Sequence, residues 1–356
     1  MKQCIRYATT SDQANLAWAE IGQGMPLVKA ANWLTHLQYD LESPVWAHWI
    51  RFFGEHFRYI RHDERGCGLS DTRVEGLTLP RWVDDLESVV EAAGIERPFV
   101  LLGISQGAAT AIMYALRHPQ RVSHLILYGG YAVGGNKGDA DRVEMYKAVQ
   151  EVVRLGWASD NPAFRQLFTS RFIPQGSQAQ FDWFNDLCRR TTSAANAGTL
   201  LAARGNVDVR DYLHLVRTPT LVLHADNDHI APTSQGALLA SQIPGATFVQ
   251  LESHNHVLLE HEPAWQAFQQ AVLEFIGQRA AVDPVEDAIA RNLTTRERES
   301  LRLLCEGRSN AQIGWYLGIA EKTVRNHITG LYRKLGVRSR AQAMVLAHRH
   351  PAVLAD

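Results

Sequence analysis

Gly103-Ile104-Ser105-Gln106-Gly107 follows an apolar run at 98–102 and opens an Ala-rich stretch, 106–117, that ends before Pro119. The run reads as a buried strand and the stretch as a helix, so Ser105 falls on a strand-to-helix turn. Such a turn holds its serine in a strained conformation, and the residues flanking it must be small because chains crowd there. It also lifts the hydroxyl above the carboxyl end of a sheet, next to the helix N-terminus. There the amide of Gln106 is placed to stabilise an oxyanion. The pattern carries little weight alone; its context gives it meaning.

Strand and helix signals alternate on both sides of this turn. Strands are expected at 4–9, 15–21, 27–31, 57–61, 122–128, 220–224 and 247–251, with helices at 46–56, 79–93 and 263–277. Interleaving of this kind implies a mostly parallel sheet covered on both faces. Residues 130 to about 216 break the pattern. They show helical periodicity and many aromatics, and read as a helical insertion over the sheet. Those aromatics favour core over pocket.

A serine nucleophile needs a base, and the base needs an acid, here in the order serine, acid, histidine. Asp228 follows the strand at 220–224 and is the expected acid, with Asp226 as its rival. His256 follows the strand at 247–251 and is the expected base, with His254 as its rival. With Asp63-Glu-Arg-Gly-Cys-Gly-Leu-Ser70 and Pro232, these residues make the chain resemble the α/β-hydrolase family over about 15–280. The resemblance implies an eight-stranded, mostly parallel sheet with a helical cap at about 130–216. Family members usually carry His-Gly after the third strand, whereas this chain has Lys29-Ala-Ala-Asn32-Trp33. The donor required is a backbone N–H, so Trp33 is expected beside Gln106 in the oxyanion hole. Asn32 tolerates unusual backbone angles.

Beyond the polar stretch 278–292, the periodicity becomes helical with regular stops. One helix is expected at 295–306, stopped by Gly307. A capping box, Ser309-Asn-Ala-Gln312, opens a second, stopped by Gly318. A third runs 321–335 with Val324, Ile328, Leu331 and Leu335 on one face. Ser339-Arg-Ala-Gln342 opens a fourth. Short helices joined by a Gly-containing turn fit a helix-turn-helix. Opposite the apolar stripe lie Lys322, Arg325, Asn326 and Thr329; Arg and Lys suit guanine edges and phosphates, and Asn suits adenine.

This tail resembles the LuxR-type helix-turn-helix over about 290–350. Leu293-Thr-Thr-Arg-Glu297, Gly307-Arg-Ser309-Asn-Ala-Gln-Ile313, Lys322-Thr-Val-Arg-Asn-His327 and Arg333-Lys-Leu-Gly-Val-Arg-Ser-Arg-Ala-Gln342 carry the likeness. The expected DNA contacts are Lys322, Thr323, Arg325, Asn326 and Thr329, with Arg308 and Lys334. Ala320 stands where a Ser or Thr cap is usual, a loss of about 1 kcal/mol. Gly314 stands where Ala is usual. The resemblance implies that the fourth helix dimerises the protein on DNA.

Charge agrees with this division. Of 36 Lys+Arg and 37 Asp+Glu, residues 291–356 hold 12 and 5, a balance of +7; residues 1–290 hold 24 and 32, a balance of −8. A basic tail on an acidic body points to nucleic acid as the tail's partner. The four cysteines, Cys4, Cys67, Cys188 and Cys305, are scattered, which argues for a reducing compartment and against a cysteine metal site. No apolar run nears the ~18 residues of a spanning helix. A soluble, cytoplasmic protein is expected, without metal or cofactor.

The expected organisation is an α/β-hydrolase-like sensor at 1–280, a linker at 281–290 and a helix-turn-helix at 291–356. The expected function is a ligand-responsive regulator, a homodimer on a double-stranded operator. Its ligand would be a small apolar or ester- or lactone-like molecule between cap and sheet. The alternative is an active esterase or lactonase with a DNA-binding tail. A haloperoxidase-like or dehalogenase-like enzyme is a weaker reading, and a dehalogenase would need Asp where Ser105 stands.

Overall fold

The computed structural model describes residues 3–280, 293–335, 337 and 339–349. The chain divides into two compact units, Met1–Leu273 and Glu274–Asp356, the division falling inside the helix Pro263–Ala280. The linker expected at 281–290 lies outside the described residues.

The first unit is built on an eight-stranded sheet. Its strands are β1 (Cys4–Thr9), β2 (Asn15–Ile21), β3 (Pro26–Ala30), β4 (Arg58–His62), β5 (Phe99–Ile104), β6 (Val122–Tyr128), β7 (Thr220–Ala225) and β8 (Thr247–Leu251). Their order is β1-β2-β4-β3-β5-β6-β7-β8. The β1–β2 and β2–β4 pairings are antiparallel and the rest parallel. Every residue of β5 and β7 is buried, as central strands covered on both faces must be.

The two covering layers differ in chemistry. Helices α2 (Leu79–Ala92) and α3 (Gly107–Arg117) lay an aliphatic layer on one face, through Leu86, Val90, Ala108 and Ile112. Thr78 caps α2 by accepting from Arg81 N–H, with Pro80 in the first turn. The opposite layer is aromatic. Trp49 of α1 (Ala47–His56) packs 5.2 Å from Tyr128 and 4.8 Å from Phe268 of α9 (Pro263–Ala280).

Between β6 and β7 lie α4 (Ala140–Gly156), α5 (Ala163–Thr169), α6 (Gln178–Thr191) and α7 (Ala194–Gly205). Side chains of Asp139, Ser177 and Ser193 cap α4, α6 and α7. A single bridge, Val133 to Asp208, ties the base of this insertion together. One helix not expected from the sequence, α8 (Thr233–Gln242), carries Gly236. That glycine has a packing reason: a Cβ there would lie 2.5 Å from His224 Nδ1.

The second unit holds helices Thr295–Cys305, Asn310–Leu317, Glu321–Leu335 and Arg340–Arg349. Leu301, Leu304, Ile313, Val324, Ile328 and Leu331 make its core. Capping boxes at Thr294/Glu297 and Ser309/Gln312 start the first two helices, and Gly318 ends the second in the left-handed region at φ +66°. The unexpected Gly314 is explained by space. A Cβ there would lie 2.7 Å from Ile319 O, inside the turn.

Candidate catalytic pocket and DNA-reading helix

Ser105 has φ +54°, one of few non-glycine residues in the left-handed region. This conformation costs about 1–3 kcal/mol unless its surroundings enforce it. They do. Ser105 N–H donates to Tyr128 O at 2.9 Å, locking the turn to β6. A Cβ on Gly103 would meet Ala108 Cα at 2.6 Å, and one on Gly107 would meet Ala31 O at 3.0 Å. A side chain at 103 would clash and one at 107 would be crowded, in keeping with the small residues read from the motif.

Asp228 and His256 meet on the loops after β7 and β8. His256 Nδ1 lies 2.6 Å from Asp228 Oδ2. The second carboxylate oxygen accepts from the N–H of Ile230 at 2.7 Å and of Ala231 at 3.0 Å. Burial opposes charge on Asp228, but His256 and these donors outweigh it and hold the carboxyl below its ordinary range. His256 is buried, its Nε2 has no partner among the described residues, and it lines the same cavity as Ser105. The rivals sit elsewhere. His254 is exposed, and Asp226 is an exposed residue whose carboxylate accepts from Ser253 N–H. A residue that sequence reasoning missed, His224, flanks the pair, 3.6 Å from Asp228 Oδ2, with Nε2 2.8 Å from Ala231 O.

The oxyanion hole departs from expectation. Trp33 N–H is not free: it donates to Gln106 Oε1 at 3.0 Å, while Gln106 Nε2 donates to Ala31 O at 3.2 Å. The long amide of Gln106 reaches back and closes the loop that carries Trp33. Gln106 N–H donates to no acceptor among the described residues. The unusual backbone falls on Leu34, at φ +62°, and not on Asn32. The Asp63–Ser70 motif holds this loop from below. Asp63 accepts from Thr35 Oγ1 at 2.9 Å and from Leu37 N–H at 3.0 Å, and Ser70 Oγ donates to Asp63 O.

The cavity above Ser105 has an empty volume of about 1000 Å³, open solvent at its mouth included. The insertion supplies much of its wall. Phe168, Phe172 and Phe184 line it, Phe168 and Phe184 being buried as well, while buried Trp157 stacks on Trp33 at 5.3 Å.

In the second unit Lys322, Thr323, Arg325, Asn326 and Thr329 are all exposed on the third helix, opposite buried Val324 and Ile328. Arg325 pairs with Glu321 at 2.8 Å, a surface contact worth little. Arg308 lies partly buried over the ring of Tyr316, 5.1 Å away. Lys334 is exposed as well. Its Nζ is 2.7 Å from Glu297 Oε2, where it ties the third helix to the cap of the first.

Residues 40–263 match the family pattern of the alpha/beta hydrolase fold, and residues 291–347 that of bacterial regulatory proteins of the luxR family. The chain belongs to the alpha/beta hydrolase family. It joins an alpha/beta-hydrolase-fold unit to a luxR-family DNA-binding domain. Similar proteins include the AB hydrolase superfamily protein YisY of Bacillus subtilis, 29% identical over 265 residues, covering 70% of this chain and 91% of that one. A non-heme chloroperoxidase of Streptomyces lividans is 27% identical over 270 residues, covering 72% and 94%. Among solved structures, a hydrolase from Pseudomonas aeruginosa aligns at TM-score 0.63 and 26% identity, over 77% of this chain and 98% of its own. An enol-lactonase from Burkholderia xenovorans shares the alpha/beta hydrolase fold at TM-score 0.63 and 21% identity, over 76% and 100%. No helix among the described residues is long and apolar enough to cross a membrane.

Proposed function

We propose that this DNA-binding regulator is controlled by a small molecule held between cap and sheet of its hydrolase unit. The observation that carries the reading is the joining, in one chain, of a cap-walled cavity to a luxR-family domain. Occupancy shifts DNA binding only if the ligand prefers one of the two DNA-binding states. The domains of this reading are a sensor at 1–280, a linker at 281–290 and a DNA-binding domain at 291–356. The protein works in the cytoplasm as a homodimer, its fourth tail helix joining two copies on a two-fold operator. Lys322, Arg325 and Asn326, with Thr323 and Thr329, read the major groove, and Arg308 meets phosphate.

A second reading, an active serine hydrolase, is favoured by the strained Ser105 and the Asp228–His256 contact. In it Ser105 is the nucleophile, His256 its base and Asp228 the orienting acid. The occupied Trp33 amide argues for slow turnover, because a missing oxyanion donor costs about 10²–10³ in rate. One experiment separates the readings. A panel of esters, lactones and carboxylic acids is screened by thermal shift on the intact protein and on Ser105→Ala, and each mixture is analysed by mass spectrometry. Stabilisation of both proteins without product supports the sensor. Product formed only when Ser105 is present supports the hydrolase.

A further inference from the structure

The charged side chains around the cavity are all of one sign. Arg142, Arg171 and Arg204 line it, and among its described lining residues there is no Asp, Glu or Lys. Their surroundings are apolar and aromatic, including Trp33, Tyr146, Phe168 and Phe184. Guanidinium groups are costly to desolvate, and buried ones are normally paired.

Compensation here is incomplete. Arg204 is 3% exposed and pairs through Nη2 with Glu64, yet its Nε and Nη1 have no hydrogen-bond partner among the described residues. Its charge lies over the rings of Trp33 and Trp82, at 5.0 and 5.7 Å. Arg171 and Arg142 are half-buried; Arg171 donates to a neutral acceptor, His229 O, at 3.2 Å, and Arg142 to Val133 O at 2.9 Å. Neither has a carboxylate partner within ion-pair distance among the described residues. Burial pushes the Tyr146 hydroxyl up, and the charges of Arg204, Arg171 and Arg142 act against that rise. All three guanidinium-bearing residues line the one cavity that Ser105 and His256 also line.

We infer that the cavity is built for a carboxylate: a small, apolar or aromatic molecule whose single carboxylate is held by Arg171, Arg204 and Arg142. Planar guanidinium forks match a carboxylate with two parallel hydrogen bonds, and such charge-assisted bonds are stronger than neutral ones. The aromatic wall takes the body of the molecule. The inference rests on the cavity being the ligand site of the proposed function and narrows its ligand to an anion.

The test uses the full-length Ser105→Ala protein, which cannot consume a probe through that hydroxyl. Calorimetry measures binding of benzoate, phenylacetate and 3-phenylpropionate, each beside its neutral primary amide, with phenyl phosphate as a second anion. At least one carboxylate should bind at millimolar concentration or better, roughly tenfold or more tighter than its amide. Arg171→Gln and Arg142→Gln, checked for unchanged thermal stability without ligand, should each erase most of that preference. Arg171→Lys should keep part of it. Arg204→Gln risks stranding Glu64, so Glu64→Gln replaces it. That variant frees Arg204 from its partner and should tighten the carboxylate while leaving the amide unchanged.

Equal binding of carboxylates and amides, or no binding by any carboxylate, overturns the inference. So does a preference that survives Arg171→Gln. Tighter binding of phenyl phosphate than of every carboxylate overturns the carboxylate assignment. If a carboxylate binds as expected but operator affinity does not respond, the regulator reading fails and this inference stands. If operator affinity responds to the amides alone, this inference fails and the regulator reading stands.

Discussion

The two units present their chemistry in opposite ways. In the hydrolase unit Asp228 and His256 are buried, Ser105 is strained, and neighbouring amides, glycines and strands hold each in place. In the luxR-family unit Lys322, Arg325 and Asn326 stand in solvent, fixed only by the helix beneath them. A buried site depends on many supporting groups, so distant substitutions damage it. An exposed reading face depends on one amphipathic helix, so its side chains can be exchanged without harm to the fold.

The largest expected effect lies in the buried site. A fluorophosphonate probe should label Ser105. Asp228→Asn should slow that labelling by up to about 10⁴, since the imidazole loses the group that fixes its tautomer. Gel fluorescence against time measures it. Labelling at the parent rate would mean that the Asp228–His256 contact does not orient the base.

On the exposed face, Lys322→Ala, Arg325→Ala and Asn326→Ala combined should weaken operator binding roughly a hundredfold or more, at about 1–3 kcal/mol per base contact. The melting temperature of the tail should not move. Lys334→Ala should also cost about 0.2–1 kcal/mol of tail stability, because its surface pair with Glu297 clasps two helices. Anisotropy titrations and thermal melts on the same proteins separate the two behaviours.

The same contrast extends to pH. Burial pushes His62 down to about 3, with the Lys29 charge adding to it. A depressed histidine stays neutral in the fold but takes up a proton when unfolded. Below the unfolded value, about 6.5, stability falls as pH falls, by about 1.4 kcal/mol per unit until the folded value is reached. Asp40 and Glu64, each pushed up to about 7 by burial, have the opposite sign. The clean quantity is therefore a difference. The stability gap between parent and His62→Asn should shrink by about 2 kcal/mol from pH 7 to pH 5. Tryptophan fluorescence reads it, because eight of the nine tryptophans lie at or before Trp265. A pH-independent gap would place the imidazole in water.

The smallest effect concerns strain at the turn. Ser105→Gly relieves a positive φ that Ser105→Ala retains, so the glycine variant should be more stable by about 1 kcal/mol. Equal urea midpoints for the two variants would mean that the turn is not strained.

Much of this molecule was legible in its sequence because its patterns are local. Strand and helix alternation, the glycines around Ser105 and the capping boxes of the tail each act over a few residues. What stayed hidden depends on distant chain. The Ala-rich α7 gave no sign that Arg204 would pair with Glu64, 140 residues away in sequence. Nothing marked His224 as a neighbour of Asp228, or Gln106 as the partner of Trp33. The reasons for Gly236 and Gly314 are likewise close contacts, with His224 and Ile319. The aromatics of 130–216 divided between core and cavity, a division set by which side of each cap helix meets the sheet.

The central claim is that a ligand in the hydrolase cavity changes the affinity of the luxR-family domain for DNA. The direct measurement is the operator dissociation constant of the intact protein and of Ser105→Ala, each with and without a saturating cavity ligand. The operator is a two-fold site selected by the protein from random duplexes. The account predicts a ligand-dependent change of roughly fivefold or more, the scale of ordinary coupling between sites, and the same change in Ser105→Ala. Identical affinities with the cavity filled and empty, in a protein that calorimetry shows to be saturated, would contradict it.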